Sequence, residues 1–125
     1  MYNYRTLLDD LQEMLTIIKS LSTSCIIFNR KAEIIDINKA ASDFLKIGNT
    51  EDYIGQKRKL GIDPKFYGII NRLLNGETVL NEKFEFKRAD NTVVLVNLNA
   101  SLLYGLKDVF IFQFSEVSIR ASSEN

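Results

Sequence analysis

The sequence predicts an α+β domain: a five-stranded antiparallel sheet with helices on one face, preceded by an N-terminal amphipathic helix. Three observations carry this. The hydrophobic period changes along the chain in the order helix, strand, strand, helices, strand, strand, strand. The last three strands are joined by short polar turns, which allow only antiparallel neighbours. The chain has 125 residues, 46% of them hydrophobic and 26% charged, enough for one core and too few for two domains.

Residues 3–21 hold no Gly or Pro, and Tyr4, Leu7, Leu11, Met14, Ile18 and Leu21 recur at spacings of 3 and 4. That is a heptad seam, widened by Leu8, Leu15 and Ile17. The helix is expected either to pack on its own domain or to form a parallel coiled coil between two chains, and its width permits both. Residues 1–21 therefore form one unit, 22–118 a folded domain and 119–125 a polar tail.

Cys25-Ile26-Ile27-Phe28 and Glu33-Ile34-Ile35-Asp36-Ile37 read as a hairpin around the polar turn Asn29–Ala32. Helical spacing follows, with Asn38 as N-cap, Ala40, Ala41, Phe44, Leu45 and Ile47 on the buried side, and Gly48 as the stop. Thr50 is expected to cap a short turn that Gly55 closes, and Lys57, Arg58 and Lys59 lie in a solvated loop. Asp63-Pro64 opens the next helix, whose apolar face is Phe66, Tyr67, Ile69, Ile70, Leu73 and Leu74 and whose end is Asn75-Gly76.

The first long strand is expected to place Leu80, Glu82, Phe84 and Phe86 on one face. After the turn Ala89-Asp90-Asn91, the second strand sets Val94, Val96, Leu98, Ala100 and Leu102 against Val93, Leu95, Asn97, Asn99 and Ser101. The last strand, following Tyr104–Asp108, alternates Phe110, Phe112 and Phe114 with Val109, Ile111 and Gln113. One face thus carries Val93, Leu95, Val109 and Ile111, too apolar to stand in water, so the N-terminal helix, a partner chain or both should cover it.

Composition excludes several function classes. Sixteen basic and sixteen acidic residues cancel, leaving no footprint for a nucleic acid backbone. With no His and one Cys there is no His-built metal or haem site, no Ser-His or Cys-His relay, no internal disulfide and no Cys-built zinc site. No apolar run reaches the roughly 18 residues of a membrane span. The first residues lack a secretion signal, so a reducing, cytoplasmic setting is expected. The glycines form no phosphate loop. Asp9-Asp10 and Glu51-Asp52 are helix-end charges rather than a convergent acid-base pair.

Five local motifs resemble, in order, those of the PAS family, the small sensory modules of bacterial kinases and transcription regulators. Ile35-Asp36-Ile37-Asn38-Lys39-Ala40-Ala41 resembles the strand end with the N-x-A cap, and Tyr53-Ile54-Gly55-Gln56 the I-G-K/Q turn. Leu74-Asn75-Gly76-Glu77 resembles the end of the long helix, Lys87-Arg88-Ala89-Asp90-Asn91 the R-x-D-G hairpin, and Glu116-Val117-Ser118 the closing D-I-T. Ala32 stands where the family usually has Gly, and because Ala avoids positive φ that turn is expected to differ in type. Asn91 replaces a second Gly at a position where Asn tolerates the left-handed region. Glu116 and Ser118 replace Asp and Thr conservatively, and a Glu carboxylate there can still pair with a basic residue near the core.

The resemblance implies a PAS-like fold and a candidate pocket walled by Phe44, Tyr53, Tyr67, Ile70, Phe84, Phe86 and Phe112, with Tyr53 or Tyr67 as a polar contact. Plain core packing is the alternative for these aromatics. Asn97, Asn99 and Ser101 are expected to meet water or a partner before a ligand. Cys25 is expected to be a structural thiol, because the flavin-type G-x-N-C-R-F-L motif is absent. No haem or flavin is expected, and an unknown small molecule remains possible. The candidate dimer interface is Leu7, Leu11, Met14, Ile18 and Leu21 with Val93, Leu95 and Ile111. A homodimer is expected, with an output domain linked or separate, and no nucleic acid or membrane contact. The two alternatives are a small-molecule enzyme or cofactor carrier on the same scaffold, and a structural dimeriser with a filled core.

Overall fold

The computed structural model describes residues 22–56, 65–102 and 109–117. The expected N-terminal helix with its seam, the basic loop, the Asp63-Pro64 helix start, the turn before the last strand and the polar tail lie outside the described residues.

β1 (Ser24–Asn29) and β2 (Ile34–Ile37) form the first hairpin, followed by α1 (Lys39–Phe44), a 3-10 turn (Thr50–Asp52) and α2 (Phe66–Leu74). β3 (Val79–Lys87), β4 (Val93–Leu102) and β5 (Val109–Glu116) complete one sheet in the order β2-β1-β5-β4-β3. All neighbours are antiparallel. The last strand returns to the centre and pairs with the first, Ile26 opposite Phe112 and Phe28 opposite Phe110. Helix α1 packs on β1, and α2 on β3 and β4. The core between helices and sheet takes Ile26 and Phe28, Phe84 and Phe86, the even-numbered residues Val94 to Ala100, and Phe110, Phe112 and Phe114. The period-two pattern thus decides which side chains leave water, at roughly 25 cal/mol per Å² of apolar surface.

Both helices end in the same six-residue bonding pattern, in which a left-handed residue lets two amides reach back to orphan carbonyls. In α2 the left-handed residue is Gly76, φ 87°, as the sequence suggests. In α1 it is not Gly48. Lys46 takes φ 61°, its amide donating to Asp43 O at 3.2 Å and the Ile47 amide to Ser42 O at 2.8 Å. Burial of Leu45 and Ile47 on either side holds Lys46 there.

Asn49, not Thr50, caps the 3-10 turn, its side chain accepting from Glu51 N at 3.0 Å. Ala32 does adopt positive φ, at 66°. The Asn29 carboxamide accepts from the amides of Lys31 (2.9 Å) and Glu33 (3.0 Å) and fixes the loop, while the Ala32 methyl is buried in the core. Those contacts offset a left-handed penalty of roughly 1–2 kcal/mol.

Leu80 is 66% exposed instead of sharing the face of Phe84. Val79 pairs with Ala100 and Glu82 with Leu98, so β3 carries one extra residue there. Asn81, at φ 55°, marks this bulge, and it reverses the alternation upstream. Tyr67 and Leu74, expected on the apolar face of α2, are 43% and 41% exposed. At a step of about 100° per residue they fall at the margins of the stripe that Phe66, Ile69, Ile70 and Leu73 already fill. Glu116 lies exposed opposite Val96, in no ion pair among the described residues.

Candidate functional site

The inner face of the sheet projects a cluster of phenylalanines at the helices. Phe28 meets Phe112 edge-on at 4.8 Å and Phe66 at 5.3 Å. Phe84 meets Phe86 at 5.0 Å, and Phe86 meets Phe114 at 4.6 Å. These tilted and edge-on geometries are what ring quadrupoles favour. Of the expected pocket residues, Ile70, Phe84, Phe86 and Phe112 come together in this buried cluster, and Phe44 and Tyr53 pack half-buried against it. Tyr67 stands apart, its ring edge-on to Phe66 at 5.3 Å on the solvent side. Its expected part as a buried polar contact does not fit that placement. Phe28 was missed in the expected pocket, although its alternation with Ile26 already turns it inward.

Phe44 is where the cluster reaches the surface. Its ring lies 6.0 Å from that of Phe114, and the Arg88 guanidinium sits 4.7 Å above its centroid. Arg88 Nε also donates to Phe44 O at 2.9 Å. Beside it, Ala89 N donates to Leu45 O at 2.9 Å and Lys46 Nζ to Asp90 Oδ2 at 3.0 Å. The β3–β4 hairpin is thus fastened to the C-terminal end of α1. Asp90 also accepts from the Thr92 hydroxyl (2.6 Å) and the Thr92 amide (3.0 Å). These bonds, then Lys46, hold its carboxyl well below the usual carboxylate range. Asn91 takes φ 74° in this turn, as its match to the family Gly implies.

The N-terminal end of α1 has its own joint. Asn38, 2% exposed, is the buried polar residue among those described. Its Oδ1 accepts from Ala41 N (2.9 Å), capping the helix, and from Cys25 N (3.0 Å) in β1. Its Nδ2 donates to Thr23 O at 2.7 Å. The sequence predicts the cap but carries no signal for the other two bonds, which span 13 and 15 residues.

On the opposite face, Cys25, Ile27 and Ile111 are buried, Leu95 is half-buried and Val93 is 54% exposed. Burial pushes the Cys25 thiol up, and a hydrogen bond with Gln113 partly opposes this. A polar cleft of about 210 Å³ lies on this face between Thr23, Asn97, Asn99, Gln113, Phe114 and Ser115. The carboxamides beside it bond to the bulge: Asn81 N donates to Asn99 Oδ1 (2.9 Å) and Asn97 Nδ2 to Asn81 Oδ1 (3.1 Å). A second cleft, about 230 Å³, is lined by Lys65, Gly68, Ile69, Arg72 and Glu82. Neither cleft includes a residue of the expected pocket. Among the described residues no cluster of acids or thiols has the makings of a metal site.

A five-stranded antiparallel sheet in this order, with short helices clasped against one face, defines the class of small α+β sensory folds to which PAS domains belong. The sequence model of the PAS fold matches residues 12–117. The chain belongs to the PAS family, whose members are typically sensory rather than enzymatic modules of signalling proteins. Solved structures agree on the fold. The PAS domain of a protein from Colwellia psychrerythraea superposes with a TM-score of 0.71 at 15% identity, covering 90% of this chain and 100% of that one. A LOV protein from Rhodobacter sphaeroides gives 0.75 at 12% identity, covering 93% and 71%. The PAS domain of nitrogen regulation protein NR(II) from Vibrio parahaemolyticus gives 0.66 at 13% identity, covering 82% and 95%. No curated protein sequence matches.

Proposed function

We propose that this domain is a cytoplasmic sensory and dimerisation module of a bacterial signalling protein, a sensor kinase or a transcription regulator. It receives a small molecule or a partner's contact at the aromatic core and relays it through the segments flanking the sheet to a linked or separate output domain. The match to the PAS fold across residues 12–117 carries this reading. The lack of His and of the flavin-type cysteine motif favours a signal other than haem or flavin. The neutral charge balance favours protein or small-molecule partners over nucleic acid. A cytoplasmic setting is consistent with the unpaired Cys25 and with described helices too short and polar to cross a membrane.

Homodimerisation is proposed through the Leu7, Leu11, Met14, Ile18 and Leu21 seam together with Val93, Leu95 and Ile111 on the outer sheet face. One observation favours a second reading, a dimeriser with a filled core: the inner rings touch one another at 4.6–6.4 Å between centroids. Native mass spectrometry tests both at once. The expected result is a dimer, with a retained small molecule supporting the sensor and a bare dimer supporting the filled core. Leu11→Lys with Ile18→Lys should give a folded monomer. A monomeric parent would overturn the dimer proposal.

A further inference from the structure

Helix α1 is held by a separate polar joint at each end. At its C-terminal end, Phe44, Lys46 and Leu45 O are bound to Arg88, Asp90 and Ala89 of the β3–β4 hairpin. At its N-terminal end, Asn38 bonds Cys25 N and Thr23 O, at the entry to β1. Between the joints lie six helical residues, a rod of about 9 Å with every backbone unit coupled to the next. The rod touches the aromatic core through Phe44, and Ala41 and Leu45 are fully buried beneath it.

We propose that α1 is a lever, through which the β3–β4 hairpin and the rim of the aromatic core control the position of Thr23 and the start of β1. Arg88 and Asp90 act as positioning residues at one end and Asn38 at the other. The route does not run through the strands. Each strand of the sheet is bonded along its length, whereas α1, packed on β1 by its apolar side, has its hydrogen bonds to other elements at its two ends. A displacement of Phe44 by a ligand or a partner therefore moves Asn38 more readily than it distorts the sheet. Asn38 in turn carries Thr23, where residues 1–21 join the domain.

The use of this lever rests on the sensory reading above, but its existence does not. The joint is opened where it touches neither Asn38 nor β1. Asp90→Asn removes the Lys46 ion pair while an amide oxygen can still accept from Thr92. Arg88→Ala removes the Phe44 contacts. Native-state hydrogen exchange by NMR then reads the Cys25 and Ala41 amides, the two that Asn38 holds. Both should exchange about tenfold faster in Arg88→Ala, and less so in Asp90→Asn, while Leu98 and Leu73 amides keep their parental rates. Glu77→Gln, which breaks an exposed ion pair with Arg72 on α2, serves as control and should leave Cys25 and Ala41 unchanged.

Equal acceleration of Leu98 and Cys25 would mean global loosening and would overturn the lever. So would unchanged Cys25 and Ala41 rates, or the same acceleration in the control. If Arg88→Ala does not fold, Asp90→Asn decides alone by the same comparison. A small molecule retained in mass spectrometry with no coupling here would leave the sensory reading standing and remove only this route.

Discussion

Replacing Asn38 should be the most damaging polar substitution among the described residues. Asn38→Ala removes the acceptor shared by Cys25 N and Ala41 N and the donor to Thr23 O. Thr23 is exposed, so water can take over its carbonyl. Both of these amides are bonded to Asn38 in buried surroundings. Each unsatisfied buried group costs about 1–3 kcal/mol. The Ala41 bond is also the helix cap, for which the measured range of about 0.5–2 kcal/mol applies instead of an additional charge. Together they give a loss of about 1.5–5 kcal/mol, against the 5–15 kcal/mol typical of a domain. Asn38→Asp separates the contributions. It keeps the acceptor for both amides but sets a carboxylate oxygen against Thr23 O, so it should cost less than Ala. Urea denaturation of the three proteins measures this. An Ala variant within about 1 kcal/mol of the parent, or an Asp variant as weak as Ala, would refute the reasoning.

Two further outcomes follow from the β3–β4 turn. Asn91 at φ 74° should tolerate Gly without loss, while Val should cost about 1–2 kcal/mol in thermal or chemical denaturation; equal stability would count against the assigned turn. Asp90, its folded pKa depressed by Thr92 and Lys46, contributes stability above the unfolded carboxylate pKa that is lost as pH falls through the folded value. Asp90→Asn should therefore show a shallower acid decline than the parent, and parallel acid curves for the two would contradict that account.

How much was legible in the sequence depends on the range of the interaction. Strands were readable because Phe110, Phe112 and Phe114 alternate against Val109, Ile111 and Gln113, and alternation is a local property. Asn38 as a cap was readable because its partner lies three residues on. The bulge at Asn81 was not, because a single inserted residue is invisible until the partner strand sets the register. Ala32 and Lys46 at positive φ were unreadable for a related reason: burial of Leu45 and Ile47 holds Lys46, and the Asn29 carboxamide and burial of its own methyl hold Ala32, which overrides a preference of about 1–2 kcal/mol. The candidate pocket was half legible. Inward parity found Phe84, Phe86 and Phe112, but parity says nothing of where on a helix the apolar stripe stops, and Tyr67 fell beyond it. Arg88 drew no attention because its partners, the ring and carbonyl of Phe44, lie 44 residues away.

The bulge has a consequence for how such domains coexist at high concentration. An open sheet ends in two strands with unpaired backbone groups, each an invitation to further chains. At β2 that margin is occupied from within, Gly55 N donating to Ile34 O and Gln56 O accepting from Ile34 N. At β3 it is spoiled. Asn81 bends the strand out of line, Lys83, Glu85 and Lys87 line its outer side with charge, and Lys65 Nζ occupies the Lys83 carbonyl at 2.7 Å. Copies that met through the proposed sheet face would therefore find both margins blocked against edge-to-edge pairing.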